Sequence, residues 1–399
     1  MNKKEKIKLV PKYRFPEFTT SGSVVCENGN MIFKPVNNKN HDSELPVLAI
    51  SQEYGAIPRD LIDYNVSVSD KSLESYKVVE KGDFIISLRS FQGGIEYSTY
   101  NGICSPAYII LRKKVDVDEQ YYKYYFKSNR FIQDLNKDLE GIRDGKMVSY
   151  NQFSDILLPK PDKGEQQKIA DCLSSIDDLI SAEDKKLLAL KNHKKGLMQK
   201  LFPAEGKTVP EWRFSEFRNC REWNKNIIND FAQVTTGNKD TQNKVDNGKY
   251  PFFVRSQTVE HIDTFELNCE AILTSGDGVG VGKNFHYING KFDFHQRVYC
   301  ISDFSEGICG KFIFYYFSEH FQKRVMQLSA KNSVDSVRRS MITDMPIYLP
   351  EYAEQQKIAD LLSSVDELIT AQTDKIEALK KHKTGLMQGL FPSIEEVSR

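Results

Sequence analysis

Glu165 to Pro203 reads EQQKIADCLSSIDDLISAEDKKLLALKNHKKGLMQKLFP, and Glu354 to Pro392 reads EQQKIADLLSSVDELITAQTDKIEALKKHKTGLMQGLFP. The two stretches align without a gap at an offset of 189 positions and share 27 of 39 residues. The regions before and between these copies are far less alike. A chain that repeats two connectors while two other regions differ is built to present two different surfaces through one frame.

Shorter matches extend this repeat beyond the two copies. They are VPKYRFPEF at 10–18 with VPEWRFSEF at 209–217, YYF at 124–126 with YYF at 315–317, and LP at 158–159 with LP at 349–350. The pattern indicates duplication of one unit of about 190 residues rather than a short-period repeat. We therefore divide the chain into four parts: a variable domain at 1–160, a helix at 161–205, a variable domain at 206–350 and a helix at 351–399.

Apolar residues in each copy recur at alternating steps of four and three, which is the spacing of a seam between paired helices. The seam residues are Ile169, Leu173, Ile176, Ile180, Leu187, Leu190, Leu197 and Leu201, then Ile358, Leu362, Val365, Ile369, Ile376, Leu379, Leu386 and Leu390. Glu165 and Glu354 suit the starts of helices, and Pro203 and Pro392 end them. The predicted fold class is α+β, with two α/β domains separated by two long helices that pack as an antiparallel coiled coil, a pseudo-twofold tandem repeat.

Polar residues interrupt the seam at matched places, Glu183 with Gln372 and Lys194 with Lys383. Glu183 and Gln372 are the midpoints of 165–201 and 354–390, so a symmetric antiparallel pair would bring them together at its centre. A buried polar pair there would fix the register of the helices. The alternative is that both side chains face solvent.

The variable regions have the mixed pattern of α/β domains. Residues 81–89 are predicted as a turn that leads into a strand, 108–112 and 297–301 as buried strands, and 121–131 and 311–321 as aromatic-rich helices. Such aromatic stripes can stack on bases, but packing in a core is the favoured interpretation.

Composition limits the classes of function. The 55 Lys and Arg balance the 55 Asp and Glu, so phosphate affinity would need locally placed basic groups or partner proteins. The seven Cys are scattered without a CxxC pair, which favours reduced thiols over zinc or disulfides. The N-terminus lacks the apolar run of a signal peptide, and no stretch reaches the length of a membrane helix. We expect a cytoplasmic protein that binds no membrane.

Catalytic motifs are absent from the sequence. Residues 275–283 (SGDGVGVGK) miss the phosphate-loop spacing, and Asn284 follows where Ser or Thr would coordinate magnesium. A flexible turn between strands is the favoured reading, with contact to a backbone phosphate as the alternative. Pro161-Asp162 with Asp184-Lys185-Lys186 is rejected as a nuclease motif, because it would lie along a helix and changes in the second copy. The sequence predicts no catalytic residue, no metal site and no cofactor in this chain.

These motifs carry a family resemblance. The repeated segment from LP through EQQKIAD, LSS, D and LI to GLMQ and LFP, opened by RFxEF, resembles the specificity subunit of type I restriction-modification systems, and the resemblance covers the whole chain. It implies two target-recognition domains that each read one half of an asymmetric bipartite DNA target. The helices would set half-site spacing and dock two modification (methyltransferase) subunits. Restriction (motor and nuclease) subunits would then join, with S-adenosylmethionine, ATP and magnesium on the partner subunits.

Double-stranded DNA is thus an expected partner, and a rod of about 55 Å fits half-sites roughly 34 Å apart. The chemistry of base edges favours Arg, Lys, Gln and Asn in turns near glycines. The candidates are Arg89, Gln92, Arg143 and Lys146 in the first domain, and Lys283, Gln296, Arg297, Lys331, Arg338 and Arg339 in the second. An ordinary surface charge is the alternative for each.

The candidate interface of the helix pair and its partners comprises Ile169, Leu173, Ile176, Ile180, Glu183, Leu187, Ile358, Leu362, Val365, Ile369, Gln372 and Ile376. Two other functions stay open at this point. A scaffold that joins two protein ligands would suit the neutral charge, and a fragment of a fused methyltransferase-nuclease is disfavoured by the missing motifs.

Overall fold

The computed structural model describes residues 8–41, 44–62, 73–137, 148–329 and 336–392. Contacts divide the chain into two compact units, Met1–Glu183 with Lys375–Arg399 and Asp184–Asp374. Each unit contains one α/β domain and one half of each of two long helices. The α+β class and both predicted helices are confirmed. The division by contacts differs from the four sequence segments because each long helix contributes to both units.

The first domain contains eleven strands and five α-helices among the described residues. In chain order the elements are β1 (Lys8–Leu9), β2 (Val24–Asn28), α1 (Gly29–Ile32), β3 (Phe33–Val36), β4 (Leu48–Ser51), β5 (Gly55–Pro58), β6 (Lys77–Val79), β7 (Phe84–Ile86), α2 (Ser90–Gly93), β8 (Glu96–Tyr97), β9 (Gly102–Cys104), β10 (Ile109–Lys113), α3 (Glu119–Tyr125), α4 (Asn129–Asn136), α5 (Tyr150–Asp155) and β11 (Leu157–Lys160). Short 3-10 helices lie at Pro16–Phe18 and Arg59–Leu61. The main antiparallel sheet has the order β3-β10-β7-β8, with smaller antiparallel groups β1-β2-β11, β4-β5 and β6-β9.

The rest of the chain begins with the first long helix and ends with the second. In order the elements are α6 (Lys163–Leu201), β12 (Asn224–Ile227), β13 (Gln233–Thr236), β14 (Tyr250–Phe253), β15 (Glu260–Ile262), β16 (Leu267–Ser275), β17 (Phe285–Phe294), β18 (Val298–Ser302), α7 (Gly310–Leu328), α8 (Arg339–Thr343), β19 (Pro346–Leu349) and α9 (Tyr352–Leu390). Short 3-10 helices lie at Ser215–Phe217, Ile228–Asp230 and Thr241–Asn243. The sheet order is β13-β18-β16-β17-β14-β15, and β12 pairs with β19. Its first four strands therefore follow the same order as β3-β10-β7-β8.

An aromatic helix forms the centre of each domain core. Tyr121 and Tyr122 of α3 are fully buried, as are Phe312 and Phe317 of α7. These rings pack edge-on against neighbouring rings, an arrangement that their quadrupoles favour. The structure thus places the stripes in the core, where they are not available for stacking on bases.

The start of each long helix is joined to its own domain by a buried ion pair. Arg14 donates from Nε and Nη2 to the two carboxylate oxygens of Glu165, both at 2.7 Å. Arg213 makes the same bidentate contact with Glu354 at 2.8 and 2.6 Å. The side chains are 9% exposed for each arginine and 1% for each glutamate. The arginine of RFxEF and the first glutamate of EQQKIAD therefore recur because they bind each other.

Other residues of the RFxEF and EQQKIAD motifs also contact one another or the domain. Lys168 lies 5.8 Å from the centroid of the Phe15 ring and 3.4 Å from a carboxylate oxygen of Glu17. Gln166 accepts a hydrogen bond from the backbone N–H of Asp118, the N-cap of α3, and donates to the carbonyl of Pro161. The second copy repeats these contacts with Phe214, Glu216 and Lys357, and with Gln355, Cys309 and Pro350.

The end of each long helix packs against an aromatic helix. In the first unit, Phe391 after α9 contacts Tyr121 and Tyr125 of α3, with ring centroids 5.3 and 5.5 Å apart. In the second unit, Phe202 after α6 contacts the rings of α7 in the same way, namely Phe312 at 5.5 Å and Tyr316 at 5.4 Å. The LFP ending of the repeat is therefore an aromatic anchor.

A tyrosine, an aspartate and a lysine join three helices within each unit. In the first unit Tyr124 Oη donates to Asp177 Oδ2 at 2.8 Å, and Lys383 Nζ donates to Asp177 Oδ1 at 2.5 Å. The lysine also lies 5.1 Å from the centroid of the tyrosine ring. We call this set the Tyr-Asp-Lys junction. The second unit repeats it with Tyr315, Asp366 and Lys194.

These ion pairs show the direction of helix packing inside the first unit. Asp177 pairs with Lys383 and Glu183 pairs with Lys375. Residue numbers therefore increase along α6 in the direction in which they decrease along α9, so the two helix halves of this unit are antiparallel. The two lysines that interrupt the seam thus have aspartate partners on the facing helix. Gln372 is 6% exposed and the Glu183 side chain 12%, so the alternative that both face solvent is wrong. Their meeting at a shared centre stays a prediction.

Loss of the buried arginine should destabilise the fold strongly. Arg14→Ala leaves the Glu165 carboxylate buried without its charged partner, and removing one member of a buried pair costs about 3–5 kcal/mol. Urea unfolding should show this decrease in the free energy of unfolding, with a similar effect for Arg213→Ala. Lys168→Ala, which removes an exposed charge from α6, the helix that carries Glu165, should lower the free energy of unfolding by less than about 1 kcal/mol. Equal effects of Arg14→Ala and Lys168→Ala would contradict this assignment.

The second unit should lose stability in acid through His320. Its ring packs on Tyr316 at 4.5 Å between centroids, and its Nε2 is buried without a hydrogen-bond partner among the described residues. Burial, with a smaller effect of Lys323, lowers the pKa of His320 to about 4. An unfolded histidine has a pKa near 6.5, so the stabilisation is complete above about pH 6.5 and is lost as the pH falls towards 4.

The matched test is His320→Asn, because Asn129 occupies the corresponding position of the first unit. Melting temperatures between pH 7 and 4 should fall less steeply for this variant than for the native chain, by the equivalent of more than about 1 kcal/mol. An identical pH dependence for both chains would rule out His320 as the source.

Candidate nucleic-acid interface

The predicted base-reading residues lie on corresponding loops of the two domain sheets. Arg89 and Gln92 are exposed on the connection from β7 to β8, where Arg89 caps α2 and Gln92 lies within it, and Lys283 is exposed on the loop from β16 to β17. Strands β7 and β16 hold the same place in the common strand order. The same position in two related sheets therefore carries different side chains.

The first-domain loop is held in one conformation by short-range hydrogen bonds. Ser90 Oγ accepts from the backbone N–H of Ser87 at 2.8 Å, and Ser87 Oγ accepts from that of Arg89 at 3.3 Å. Gly94 has a φ of +81°, and a Cβ there would lie 2.0 Å from the carbonyl oxygen of Phe126. The loop thus presents Arg89 from a backbone that is fixed at both ends.

The second-domain loop follows β16 and includes the glycine-rich stretch. Asn284 Nδ2 donates to the carbonyl of Arg255 at 2.9 Å, so the residue that breaks the phosphate-loop pattern fastens the loop instead. A Cβ at Gly280 would lie 2.8 Å from the same carbonyl, which explains the small residue. Val279 at the tip is 96% exposed. Residues 275–283 thus form a turn between β16 and β17 that the Asn284 hydrogen bond holds in place.

Asp277 binds two arginines at the base of this loop. Its Oδ1 accepts from Arg255 Nη1 at 3.0 Å and its Oδ2 from Arg297 Nη1 at 2.7 Å. Burial acts to raise the pKa of Asp277, but the two arginine hydrogen bonds outweigh it and leave the pKa below its usual value. The carboxylate is therefore charged and holds two cations together. We call these three residues the Asp277 cluster.

The turn from β17 to β18 carries Gln296 and Arg297. His295 is buried, and its Nδ1 accepts from the backbone N–H of Arg297 at 2.9 Å. Burial and the nearby Arg255 charge lower the pKa of His295, so the neutral ring keeps this acceptor. Gln296 Nε2 donates to Asp240 Oδ2 at 3.2 Å. Both predicted side chains are thus exposed and anchored by local contacts.

The segment before α8 joins the same place. Asp277 and Ser336 form an isolated antiparallel bridge, and the backbone N–H of Val337 donates to the carbonyl of Gly276 at 2.7 Å. Arg338 and Arg339 follow directly and are exposed. The structure therefore brings together the segments of Lys283, Arg297 and Arg338, which lie far apart in the sequence.

The other predicted site residues fall into two groups. Arg143, Lys146 and Lys331 lie outside the described residues. On the helices, Ile169, Leu173, Ile358 and Leu362 belong to the domain cores, where they pack with the ends of the long helices. Val365, Gln372 and Ile376 are buried, and Ile176, Ile180, Glu183, Leu187 and Ile369 are half-buried. The helix positions thus form a continuous covered stripe, and its role towards partner proteins stays a prediction.

Sequence reasoning missed Arg255 and Asp277. Asp277 lies in the glycine-rich stretch, which was tested only as a phosphate loop, and Arg255 follows the apolar run of β14. A charged residue that follows an apolar run, PFFV before Arg255 and AIL before Asp277, was the available signal. Their pairing could not be read from the sequence because 22 positions separate them.

Two negative findings concern the described residues only. Within these ranges, no three His, Cys, Asp or Glu side chains are grouped so that they could hold a metal ion. Among the helices described, none combines the length and apolar character needed to cross a bilayer.

Comparison with curated proteins gives similarity to specificity subunits. The chain is 26% identical over 357 residues to the type I restriction enzyme MjaVIII specificity subunit of Methanocaldococcus jannaschii, covering 82% of this chain and 81% of that protein. A putative MjaX specificity subunit of the same organism is 24% identical over 308 residues, covering 71% of this chain and 70% of the other.

Solved structures share the fold at low sequence identity. The S subunit of a type I restriction-modification system from M. genitalium superposes with a TM-score of 0.62 at 13% identity, covering 97% of this chain and all of that one. A chain from a study of complex assembly and conformational transition of the type I R-M system gives 0.57 at 14% identity, covering 92% and 96%. The family model described as type I restriction modification DNA specificity domain matches residues 19–192 and 221–381, which is most of the sequence. The chain therefore belongs to the type I restriction-modification DNA specificity family.

Proposed function

We propose that each α/β domain reads one half of an asymmetric bipartite DNA target. The two long helices set the distance between the half-sites and bind two modification (methyltransferase) subunits. The chain itself performs no catalysis. Its role is to give DNA sequence specificity to a type I restriction-modification complex that acts in the cytoplasm.

One observation carries this proposal. The contacts that attach helices to domains are the same in both units, whereas the exposed loops differ in sequence. The buried Arg-Glu pairs and the Tyr-Asp-Lys junctions recur residue for residue. The loops offer Arg89 and Gln92 in one domain and the Asp277 cluster in the other. Two domains that have the same helix contacts but different exposed loops suit a DNA target with two unlike halves.

The partners follow from what this chain would need. Double-stranded DNA requires more phosphate neutralisation than a chain with zero net charge provides, so the modification subunits would supply much of it. Restriction subunits with motor and nuclease activity complete the complex. S-adenosylmethionine, ATP and magnesium would bind these partner subunits, and this chain would hold no cofactor. One structurally similar chain comes from a study of how the type I R-M system assembles, and this similarity supports such partners.

The neutral charge favours one alternative, a scaffold that joins two protein ligands without DNA. A DNA-binding selection separates the two functions. Purified chain with its modification subunit should enrich one split sequence from a random duplex library. Failure to enrich any split sequence would leave the scaffold as the better account.

Exchange of the second domain should alter only half of the target. Residues 210–350 are replaced by the corresponding domain of another specificity subunit, keeping both long helices. The same selection should then return a motif with one half changed and the other half and the spacer kept, because each domain makes its own base contacts. Changes in both halves would contradict independent reading.

Changes in helix length test the role in spacing. Seven residues inserted after Asp184 and after Asp374 add about two turns to both helices and keep the seam nearly in phase. This lengthening of about 10 Å should widen the spacer by roughly three base pairs.

The matched control places four residues after Asp184 alone. In that variant the Asp177–Lys383 and Lys194–Asp366 pairs cannot both keep their register. DNA binding should be lost or the spacer changed. An unaltered spacer in both variants would exclude the helices as its determinant.

A further inference from the structure

We propose that the Asp277 cluster is a guanine-reading site of the second domain, with Asp277 as the residue that positions Arg255 and Arg297. This inference rests on the proposed DNA-reading function and specifies it. Guanine offers two acceptors, O6 and N7, in the major groove, and the planar fork of one arginine can bind both.

The hydrogen bonds leave both arginines able to bind a base. Each guanidinium uses only Nη1 towards Asp277, and the planar group carries five N–H donors. The side chains of Arg255 and Arg297 are 45% and 62% exposed, whereas that of Asp277 is 18% exposed. The acid thus lies beneath two outward cations, and the cluster keeps a net positive charge.

Backbone contacts hold the three residues in place from every side. The N–H of Gly276 donates to the carbonyl of Arg297 at 2.8 Å, and Ser275 Oγ donates to that of Arg255 at 3.2 Å. The bridge to Ser336 fixes Asp277 itself. A site that is ordered before binding loses less conformational entropy when DNA arrives, which favours selective recognition.

A purely stabilising role explains this arrangement poorly. Ion pairs between exposed side chains contribute little to stability, and one arginine would already neutralise Asp277. The second arginine therefore adds a positive charge on the exposed side of the cluster. Arg338 follows Val337, whose backbone N–H donates to the carbonyl of Gly276 beside Asp277, and its exposed charge would suit a nearby phosphate.

The test is the random-duplex selection with the full chain and its modification subunit, run for the native chain, Arg255→Ala, Arg297→Ala and Asp277→Asn. Each arginine variant should lose about one to two orders of magnitude of preference for guanine at one position of one half-site. Asp277→Asn should relax guanine preference because it releases both arginines. The other half-site should be unchanged in every case.

Arg218→Ala, an exposed arginine of the same unit outside the cluster, is the matched control and should leave the motif unchanged. Melting curves identify any variant that is unfolded. If Arg297→Ala is unfolded, Arg297→Lys takes its place as a milder substitution, since lysine keeps the charge but cannot form the two parallel hydrogen bonds of the guanidinium. Uniform weakening with a shallower salt dependence would show phosphate contact only, and an unchanged motif would show no contact. Either result overturns the inference. If the native chain enriches no split sequence, the proposed function fails instead.

Discussion

The Tyr-Asp-Lys junction is the interaction on which the helical frame depends. An apolar heptad seam alone gives similar burial after a slip of seven residues, so it leaves the register of two long helices weakly specified. An ion pair that is partly exposed contributes little stability by itself. Here the aspartate also accepts a hydrogen bond from a domain tyrosine, and the lysine lies over that tyrosine ring. Register and domain position are thereby specified together.

The buried Arg-Glu pair adds a second constraint. Because both charges are largely removed from water, either residue alone would leave a buried charge uncompensated, so RFxEF and EQQKIAD have to meet. Attachment therefore requires the same residues in each unit. The loops at the sheet edge make none of these contacts, so they can change without disturbing the frame. This separation explains why one part of the chain repeats while the other does not.

Sequence periodicity was sufficient for the helices, since the seam spacing and the terminal prolines are local signals. The aromatic helix predicted at 311–321 lies within α7, but the prediction of one helix over 121–131 was wrong, because α3 ends at Tyr125 and Ser128 caps a second helix, α4. The lysines of the seam were recognised only as interruptions. Their partners lie on the facing helix and on a domain tyrosine, and periodicity within one helix cannot reveal either.

The candidate site was less accessible to prediction. Arginine and lysine near glycines pointed to the loops that carry Arg297 and Lys283, and the contact of these loops with DNA stays a prediction. The Asp277 cluster depends on a sheet in which β18 pairs with β16 and β14 lies beyond β17, and composition cannot encode this strand order. The predicted meeting of Glu183 with Gln372 followed from the positions of the helix ends alone. The structure pairs Glu183 with Lys375, three residues from Gln372.

In the proposed function, two domains held by the same contacts read DNA independently of each other. Genome-wide mapping of methylated bases in cells that carry the complete system tests this directly. The expected result is a single asymmetric motif, with two unlike halves and a constant spacer between them. A palindromic motif, or methylation without a split motif, would contradict it.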